Sequence, residues 1–220
     1  MFPPGVPLTK RVFDLVLTIP GLVLLSPFLA AIAVMVRIAH GRPVLFRQGR
    51  GGYGSQPFEV FKFRTMRELR DDRGILLPDA VRLTRLGRFL RATSLDELPE
   101  LFNVLLGQMS LVGPRPLFQV YLERYSPEQA RRQLVLPGIT GWAQVNGRNA
   151  LTWEEKFRLD VWYVDNWSFW LDIKILLLTL WKVLKREGIS QPGHATAEEF
   201  LGSFAAPGSG EVLSHTEVEE

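Results

Sequence analysis

Cysteine is absent from the 220 residues, and histidine is scarce. Without cysteine the chain forms no disulfide, holds no metal through thiolates and has no cysteine nucleophile, which fits a reducing compartment. The three histidines, His40, His194 and His215, lie far apart and lack the spacing of zinc ligands. Any bound metal is therefore expected to be a hard ion held by oxygen atoms.

Lysine and arginine are absent from residues 191–220, which contain six glutamates. The net charge of the chain is +3 and these glutamates account for −6, so residues 1–190 carry +9. Such a basic body predicts a partner rich in phosphate, namely nucleic acid, anionic lipid or a nucleotide. The hydrophobic content of 46% and the length predict one sizeable folded domain with appendages.

The longest apolar stretch runs from Val12 to Ala39 and has only two charges, both near its ends. As a helix it would be about 40 Å long, enough to cross a bilayer. It is too long for a signal peptide and lacks a convincing cleavage site. Pro20 and Pro27 each remove a helix hydrogen bond, which predicts a bend, and Ser26 is placed to bond a freed carbonyl.

Basic residues flank this stretch on both sides, at positions 10, 11, 42, 47 and 50, and no acidic residue lies between His40 and Phe58. By the positive-inside rule both ends prefer the cytoplasmic side. A helix broken at Ser26 and Pro27 that enters and leaves by one face satisfies both observations. We therefore predict a re-entrant membrane helix over residues 1–40, with a kinked transmembrane span as the alternative.

Residues 44–66 predict a β-hairpin, because VLFRQ and FEVFKFRTM are strand-like and GRGGYGSQP between them is rich in turn residues. In the second strand Lys62 and Arg64 share one face, while Phe61 and Phe63 point to the other. The glycine-rich loop matches no phosphate-binding spacing, so we assign it no catalytic role.

Two helices are predicted beyond the hairpin. One runs from Asp79 to Arg91, with arginines at positions 82, 85, 88 and 91 along one face that contacts either solvent or phosphate groups. The other, Trp167 to Arg186, has a charge-free run too short for a membrane span. Its three tryptophans and basic end fit an amphipathic interfacial helix, and a buried core helix is equally compatible.

These patterns predict an α+β fold: a mostly helical compact domain with a β-hairpin, a re-entrant helix and interfacial amphipathic helices. The predicted divisions are residues 1–40 for the membrane helix, 41–190 for the cytoplasmic-face domain and 191–220 for a disordered acidic tail. Because the tail lacks an apolar pattern, truncation after Ser190 is expected to leave function largely intact.

Two adjacent carboxylates, Asp96 and Glu97, stand in the sequence TSLDELPELF. Ser94 and Glu97 have the spacing of a capping box, while Asp96 as the N-cap would suit Pro99 better. Either register places both carboxylates at the positive end of a helix, where the dipole favours their ionised forms. Acidic residues at helix starts are often only caps.

The cationic surroundings of this pair favour chemistry over capping. Ionised carboxylates close to Lys62, Arg64, Arg91 and Arg115 would suit a divalent cation and a diphosphate bound together. Arg115 lies between Pro114 and Pro116, which stiffen the loop as a phosphate clamp requires, although a rigid turn explains them too.

Several stretches together resemble the bacterial sugar transferase family, the monotopic phosphoglycosyl transferases. They are KRVFDL (10–15), FKFRTM (61–66), RLTRLGRFLRATSLDELPELFNVLLGQMSLVGPRP (82–116), LPGITGWAQVNGRN (136–149) and LDVWYVDNWS (159–168). The resemblance covers nearly all of residues 8–188. It implies an enzyme of the bacterial inner (cytoplasmic) membrane, with its catalytic domain on the cytoplasmic side and a re-entrant helix broken at a Ser-Pro pair.

The resemblance also implies a two-step reaction that begins glycoconjugate assembly. Asp96 would attack the β-phosphorus of a UDP-sugar and release UMP, and undecaprenyl phosphate would then accept the phosphosugar. Mg²⁺ would be held by Asp96 and Glu97. The candidate phosphate ligands are Lys62, Arg64, Arg91, Arg115 and Arg148. Gln144, Asn146 and Asp160 are weaker candidates that could instead order loops.

Two alternatives remain at this stage. A non-enzymatic, membrane-anchored basic protein would fit the charge, although no nucleic-acid motif occurs and no nucleic-acid partner is expected. A transferase without a covalent intermediate would fit the same motifs. No residue pattern identifies the sugar, the pathway or the oligomeric state.

Overall fold

The computed structural model describes residues 3–147, 150–185 and 199–202, except for the side chain of Leu184. Its longer elements are α1 (Leu8–His40), β1 (Leu45–Gly51), β2 (Pro57–Phe63), α2 (Asp79–Arg82), α3 (Arg85–Ala92), α4 (Glu100–Leu106), β3 (Ser110–Val112), α5 (Pro127–Ala130), β4 (Gly138–Thr140), α6 (Trp142–Val145), α7 (Trp153–Asp165) and α8 (Phe169–Lys185). Short 3₁₀ turns lie at Tyr53–Ser55, Leu95–Glu97, Gln119–Arg124 and Arg131–Leu134. The predicted mixed α+β class, mostly helical with a hairpin, is confirmed.

The predicted hairpin is present as the antiparallel pair β1 and β2, in which Phe46 lies opposite Lys62. A second, parallel pair joins β3 to β4 and was not predicted as a pair. The close approach of these two segments requires glycine, because a Cβ at Gly138 or Gly141 would collide with the backbone of Gly113. The loop that leads into Arg115 is therefore packed backbone to backbone against the segment of residues 138–141.

The predicted single helix from Asp79 to Arg91 is wrong in one respect, since it is divided into α2 and α3. The division falls at Thr84, whose extended backbone and side-chain hydroxyl cap α3 by accepting from the Gly87 amide at 2.9 Å. Arg82 consequently lies on α2, and the other three arginines of the row lie on α3.

The long apolar helix α1 continues from Leu8 to His40 through both prolines. The Ser26 hydroxyl donates to the Val23 carbonyl at 2.8 Å, the group that Pro27 leaves without its helix partner, as predicted. It is a helix long and apolar enough to cross a membrane. Its middle is exposed, with Val23 and Leu24 71% and 79% accessible.

The amino-terminal end of α1 is buried in the globular body. Lys10 Nζ donates to Asp172 Oδ2 of α8 at 2.6 Å and to the Val112 carbonyl of β3 at 2.9 Å. The Asp14 carboxylate accepts from the Leu111 amide at 3.0 Å. Since these charged groups are almost fully buried, their pairing holds the first turns of α1 in place against the body.

The carboxyl-terminal end of α1 packs on the same body. Ile32 and Val36 are buried against Phe63 of β2 and Leu90 of α3. At the last residue, the His40 Nε2 lies 2.7 Å from the Thr84 hydroxyl. Both ends of this 33-residue helix therefore contact one domain, and the buried residues of the helix lie toward its two ends.

The predicted carboxyl-terminal helix is present as α8. One face is buried, with Ile175 in the core and Thr179 bonded to Thr140 of β4 at 2.7 Å. The opposite face exposes large apolar side chains, including Trp170 and Trp181. The two interpretations of this helix thus each describe one of its faces, and the exposed one has the character of an interfacial helix.

The prediction of a disordered tail is not met at residues 199–202, which lie on the body with Phe200 buried. The rest of residues 191–220 lies outside the described residues, so the predicted disorder there stays a prediction.

Candidate active site

The Asp96 and Glu97 pair lies in the 3₁₀ turn Leu95–Glu97, immediately before α4. Both predicted capping arrangements are wrong. Ser94 has a left-handed backbone with φ 55° and makes no capping hydrogen bond, and the N-cap position of α4 is occupied by Pro99. The carboxylates therefore precede the helix, and their environment is set by side chains from other elements.

Glu97 is held by two cations from distant parts of the chain. Its Oε1 accepts from Lys62 Nζ at 2.7 Å and from Arg115 Nη2 at 2.5 Å. Burial alone would raise the pKa of Glu97, but Arg115 and Lys62 outweigh burial and hold the pKa below its usual range. From the described residues its second oxygen, Oε2, receives a single 3.5 Å contact, from Arg115 Nη1, which leaves lone pairs available.

A third carboxyl group, Glu100, was missed by the sequence analysis. It is 2% exposed, and its Oε1 lies 3.3 Å from Lys62 Nζ. Burial and the neighbouring charge of Glu97 raise the pKa of Glu100 to about 7. Its spacing, three residues after Glu97 near the start of α4, is the signal that could have placed it on the same side.

Asp96 differs from both. It is buried, and among the described residues its carboxylate forms no hydrogen bond or ion pair. Burial and the charge of Glu97 raise its pKa, while Lys62, Arg91 and Arg115 act in the opposite direction. These three predicted cations are therefore close enough to lower the pKa of Asp96 without pairing with it directly.

The lysine of the site is placed by a side-chain bracket between β2 and α4. Asn103, fully buried on α4, accepts from the Phe61 amide at 3.0 Å and donates to the Glu59 carbonyl at 2.6 Å. These two bonds fix the strand that carries Lys62 relative to the helix that carries Glu100. Asn103 thus orders the site without belonging to it.

Arg115 is placed by a second buried pair. Arg132 Nη2 donates to the Arg115 carbonyl at 2.6 Å and to Asp160 Oδ2 at 2.7 Å. Asp160 therefore does not reach the carboxylates directly; it orders the loop through Arg132, the weaker of the two roles considered for it. Arg132 was missed, because nothing local marks it among the arginines of the chain.

Arg50, at the end of β1, was also missed. Its guanidinium lies 3.9 Å from the ring centroid of Phe118. Burial and the nearby Arg115 lower its pKa to about 10, with Glu100 and Glu97 acting in the opposite direction. The hairpin, whose loop was assigned no role, therefore adds a cation to the site.

The remaining predicted cations are dispersed. Arg91 Nε donates to the Thr65 hydroxyl at 3.1 Å and contributes to the field at Asp96. Arg64 instead donates to the Arg42 carbonyl at 2.9 Å and to the Met66 carbonyl at 3.1 Å. The structure thus brings Arg91 to the site and directs Arg64 along the backbone away from it.

The predicted loop residues near α6 also separate. Gln144 is buried, and neither amide atom has a partner among the described residues. Asn146 is exposed and donates to the Trp142 carbonyl at 2.8 Å. Arg148 lies outside the described residues.

A divalent cation fits the donor set at Asp96 and Glu97. Among the described residues no group of three or more potential His, Cys, Asp or Glu ligands is found. Within the described part of the chain, however, the Asp96 carboxylate has no partner, and Glu97 Oε2 has one 3.5 Å contact with Arg115. Mg²⁺ typically takes one or two carboxylates and completes its shell with water and substrate phosphates, which matches this pair.

The structure thus combines a helix long and apolar enough to cross a membrane with a buried carboxylate, Asp96, that lies among cations. Residues 6–186 match the bacterial sugar transferase family, to which the chain belongs. It is a transferase enzyme. The resemblance identified from the motifs is thereby confirmed, and the non-enzymatic alternative loses its support.

Three relatives illustrate the similarity. The chain is 58% identical to the uncharacterized sugar transferase EpsL of Bacillus subtilis, over 88% of this chain and 96% of EpsL. It is 45% identical to a UDP-glucose:undecaprenyl-phosphate glucose-1-phosphate transferase of Xanthomonas campestris, over 80% of this chain and 38% of that protein. A transferase of the same name from Caulobacter vibrioides is 43% identical, over 80% of this chain and 70% of the relative. The chain thus spans nearly all of EpsL but less than half of the Xanthomonas enzyme.

Proposed function

We propose that this protein transfers a phosphosugar from a UDP-sugar to undecaprenyl phosphate, releases UMP and thereby begins the assembly of a membrane-linked glycoconjugate. The observation that carries the proposal is the buried carboxylate of Asp96, which has no partner among the described residues, beside Glu97, which two cations hold ionised. Relatives named as undecaprenyl-phosphate sugar transferases support the donor and acceptor classes.

In the first step, an Asp96 oxygen attacks the β-phosphorus of the UDP-sugar. The new bond joins that oxygen to phosphorus, and the bond to the bridging oxygen breaks as UMP leaves with the electron pair. In the second step, a phosphate oxygen of the lipid attacks the same phosphorus and the Asp96 carboxylate departs. The products are UMP and the diphosphate-linked sugar.

The other residues bind and orient the donor. Lys62 and Arg115, already fixed on Glu97, present donors to the diphosphate, and Arg50 and Arg91 add positive charge. Asp96 and Glu97 would hold Mg²⁺, whose charge would offset that of the diphosphate. Gln144, whose buried amide lacks a described partner, is a further candidate donor ligand, while Asn146 and Arg148 stay candidates from the motif.

We also propose that α1 is re-entrant, that the body lies on the cytoplasmic face of the inner membrane and that the exposed face of α8 lies in the interface. The support is geometric, because a straight helix of this length extends roughly 50 Å, yet both of its ends contact one domain. The basic flanks favour the cytoplasmic side for both ends.

The test is UMP release by the purified full chain with a panel of UDP-sugars, undecaprenyl phosphate and Mg²⁺. We expect release that requires the lipid for turnover and stops when Mg²⁺ is chelated. The proposal would be contradicted if none of the UDP-sugars in the panel gave UMP release. A burst of one UMP per enzyme without lipid would distinguish the covalent route from direct transfer, which gives no burst.

A further inference from the structure

Residues 199–202 dock on the body beyond the region that matches the family, which ends at residue 186. The Phe200 amide donates to the Tyr121 hydroxyl at 3.2 Å, and the Phe200 carbonyl accepts from Arg124 Nη1 at 2.6 Å. The same guanidinium pairs with Glu199 at 2.7 Å. Both backbone groups of Phe200 and the carboxylate of Glu199 thus have partners on the body, which indicates a specific docking site.

The Phe200 side chain, 3% exposed, fills an aromatic cage. Its ring centroid lies 4.9 Å from Phe157, 5.5 Å from Trp153, 5.7 Å from Tyr121 and 6.1 Å from Tyr125. Aromatic rings at these separations attract one another beyond the burial of their area. Without Phe200, the rings that surround it would lose a shared packing partner.

The cage supports the arginine that holds the active-site loop. Arg132 Nη1 donates to the Tyr125 hydroxyl at 3.2 Å, and its guanidinium lies 5.7 Å from the Phe157 ring. The other end of this guanidinium donates to the Arg115 carbonyl. Phe200 therefore contacts the two rings against which Arg132 is packed, and Arg132 contacts the backbone of the residue that binds Glu97.

We propose that Phe200 is a positioning residue, which keeps Arg132 and through it the Arg115 loop in the geometry that binds the diphosphate of the donor. This inference rests on the proposed function for the role of Arg115, and not for the docking itself. The expectation of a dispensable tail accordingly applies after Gly202 and fails for truncation after Ser190, which removes the anchor.

The test compares matched pairs of full-length and truncated chains. Phe200→Ala and a chain ending at residue 198 lose the anchor. Leu201→Ala, at a neighbouring side chain that is 57% exposed, and a chain ending at residue 202 retain it. We expect the first pair to raise the KM for the UDP-sugar about tenfold, equivalent to 1.4 kcal/mol, with the KM for undecaprenyl phosphate unchanged. The second pair should stay within about twofold of the parent chain.

A double mutant separates positioning from general stability. In an Arg115→Ala background, Phe200→Ala should raise the KM for the UDP-sugar by less than about twofold further. The reason is that Phe200 acts through the Arg115 side chain, which this background lacks. Phe200→Leu, which refills part of the cage, should give an intermediate KM. Equal losses in both backgrounds, or a lower melting temperature with an unchanged KM, would overturn the proposal.

Hydrogen exchange gives a measurement that does not depend on activity. Peptides spanning residues 111–118 should exchange faster in Phe200→Ala than in Leu201→Ala, because Arg132 holds this loop less firmly. If the parent chain released no UMP, the proposed function would fail while this comparison still tested the positioning. Identical exchange in the two variants would show that Phe200 does not act on the loop.

Discussion

Asp96 and Glu97 are adjacent in the chain, yet their carboxyl groups have opposite pKa shifts. Burial raises the pKa of Asp96, and the charge of Glu97 raises it further. For Glu97 the two salt bridges to Lys62 and Arg115 outweigh burial. Glu97 is thus fixed and ionised, while Asp96 has no partner among the described residues, and this difference suits the two groups to different chemical roles.

The third carboxyl, Glu100, makes stability depend on pH in a predictable direction. Its folded pKa of about 7 lies above the ordinary value of 4.5, so its favourable contribution is complete below pH 4.5 and is lost as pH rises through 7. Glu100→Gln removes this loss. Between pH 5 and pH 8 the unfolding free energy of the variant should therefore rise relative to that of the parent chain, by on the order of 2 kcal/mol. The difference in melting temperature between the two proteins should rise in the same direction.

The control is Glu59→Gln, at an exposed carboxylate of β2 that pairs with Arg47 at 3.5 Å. Its side chain is 57% exposed, so this substitution replaces a carboxylate outside the buried site. A stability difference between Glu100→Gln and the parent chain that stays constant from pH 5 to pH 8 would contradict the raised pKa of Glu100.

The buried pair between Lys10 and Asp172 should dominate the attachment of α1. Lys10→Met leaves a buried carboxylate without its cation and should cost about 3 to 5 kcal/mol of unfolding free energy. Arg47→Met, which breaks an exposed pair, should cost less than about 1 kcal/mol. Denaturation of the detergent-solubilised variants measures both losses of unfolding free energy. Similar losses would show that the buried Lys10 pair stabilises the protein no more than the exposed Arg47 pair.

The sequence predicted those features that depend on local pattern. Alternating residues marked the hairpin that carries Lys62, and the motif marked Asp96, Glu97 and Arg115. The environment of these groups depends on contacts between distant residues, such as Arg132 with the Arg115 carbonyl, which no local pattern contains.

The failures have the same cause. Phe200 is one of two phenylalanines in a segment rich in Gly, Ala and Glu, and no hydrophobic period distinguishes it from a disordered residue. Its burial depends on rings contributed by two separate elements, the 3₁₀ turn Gln119–Arg124 and α7. The capping prediction failed because the left-handed turn at Ser94 is a conformation that serine seldom adopts.

The re-entrant topology predicts equal accessibility of the two ends of α1. Because the chain has no cysteine, single cysteines at Pro3 and Gln56 can be labelled without background. In intact cells neither should react with an impermeant thiol reagent, and both should react once the inner membrane is permeabilised. Val23→Cys, in the exposed apolar middle, should react only after detergent is added. Labelling of position 3 alone in intact cells would establish a transmembrane span instead.

Glu97→Gln tests the fixed carboxylate. The amide keeps the shape of the side chain but loses the charge that pairs with Lys62 and Arg115 and that would bind Mg²⁺. Turnover should fall by roughly 10²-fold or more, and the Mg²⁺ concentration needed for half-maximal rate should rise. An unchanged Mg²⁺ dependence would remove Glu97 from the metal site while leaving the role of Asp96 open.

Asp96→Asn tests the free carboxylate, which is the nucleophile of the proposed reaction. The substitution nearly preserves shape, and since Asp96 has no described ion pair to lose, the variant should fold with a melting temperature close to that of the parent chain. It should show no turnover, because an amide does not displace UMP. The decisive measurement is the mass of protein quenched after incubation with UDP-sugar and no lipid. The parent chain and, more slowly, Glu97→Gln should carry a phosphosugar on the peptide that contains residue 96, and Asp96→Asn should carry none. An adduct on another residue would move the nucleophile, and normal turnover by Asp96→Asn would refute both the assignment and the two-step route.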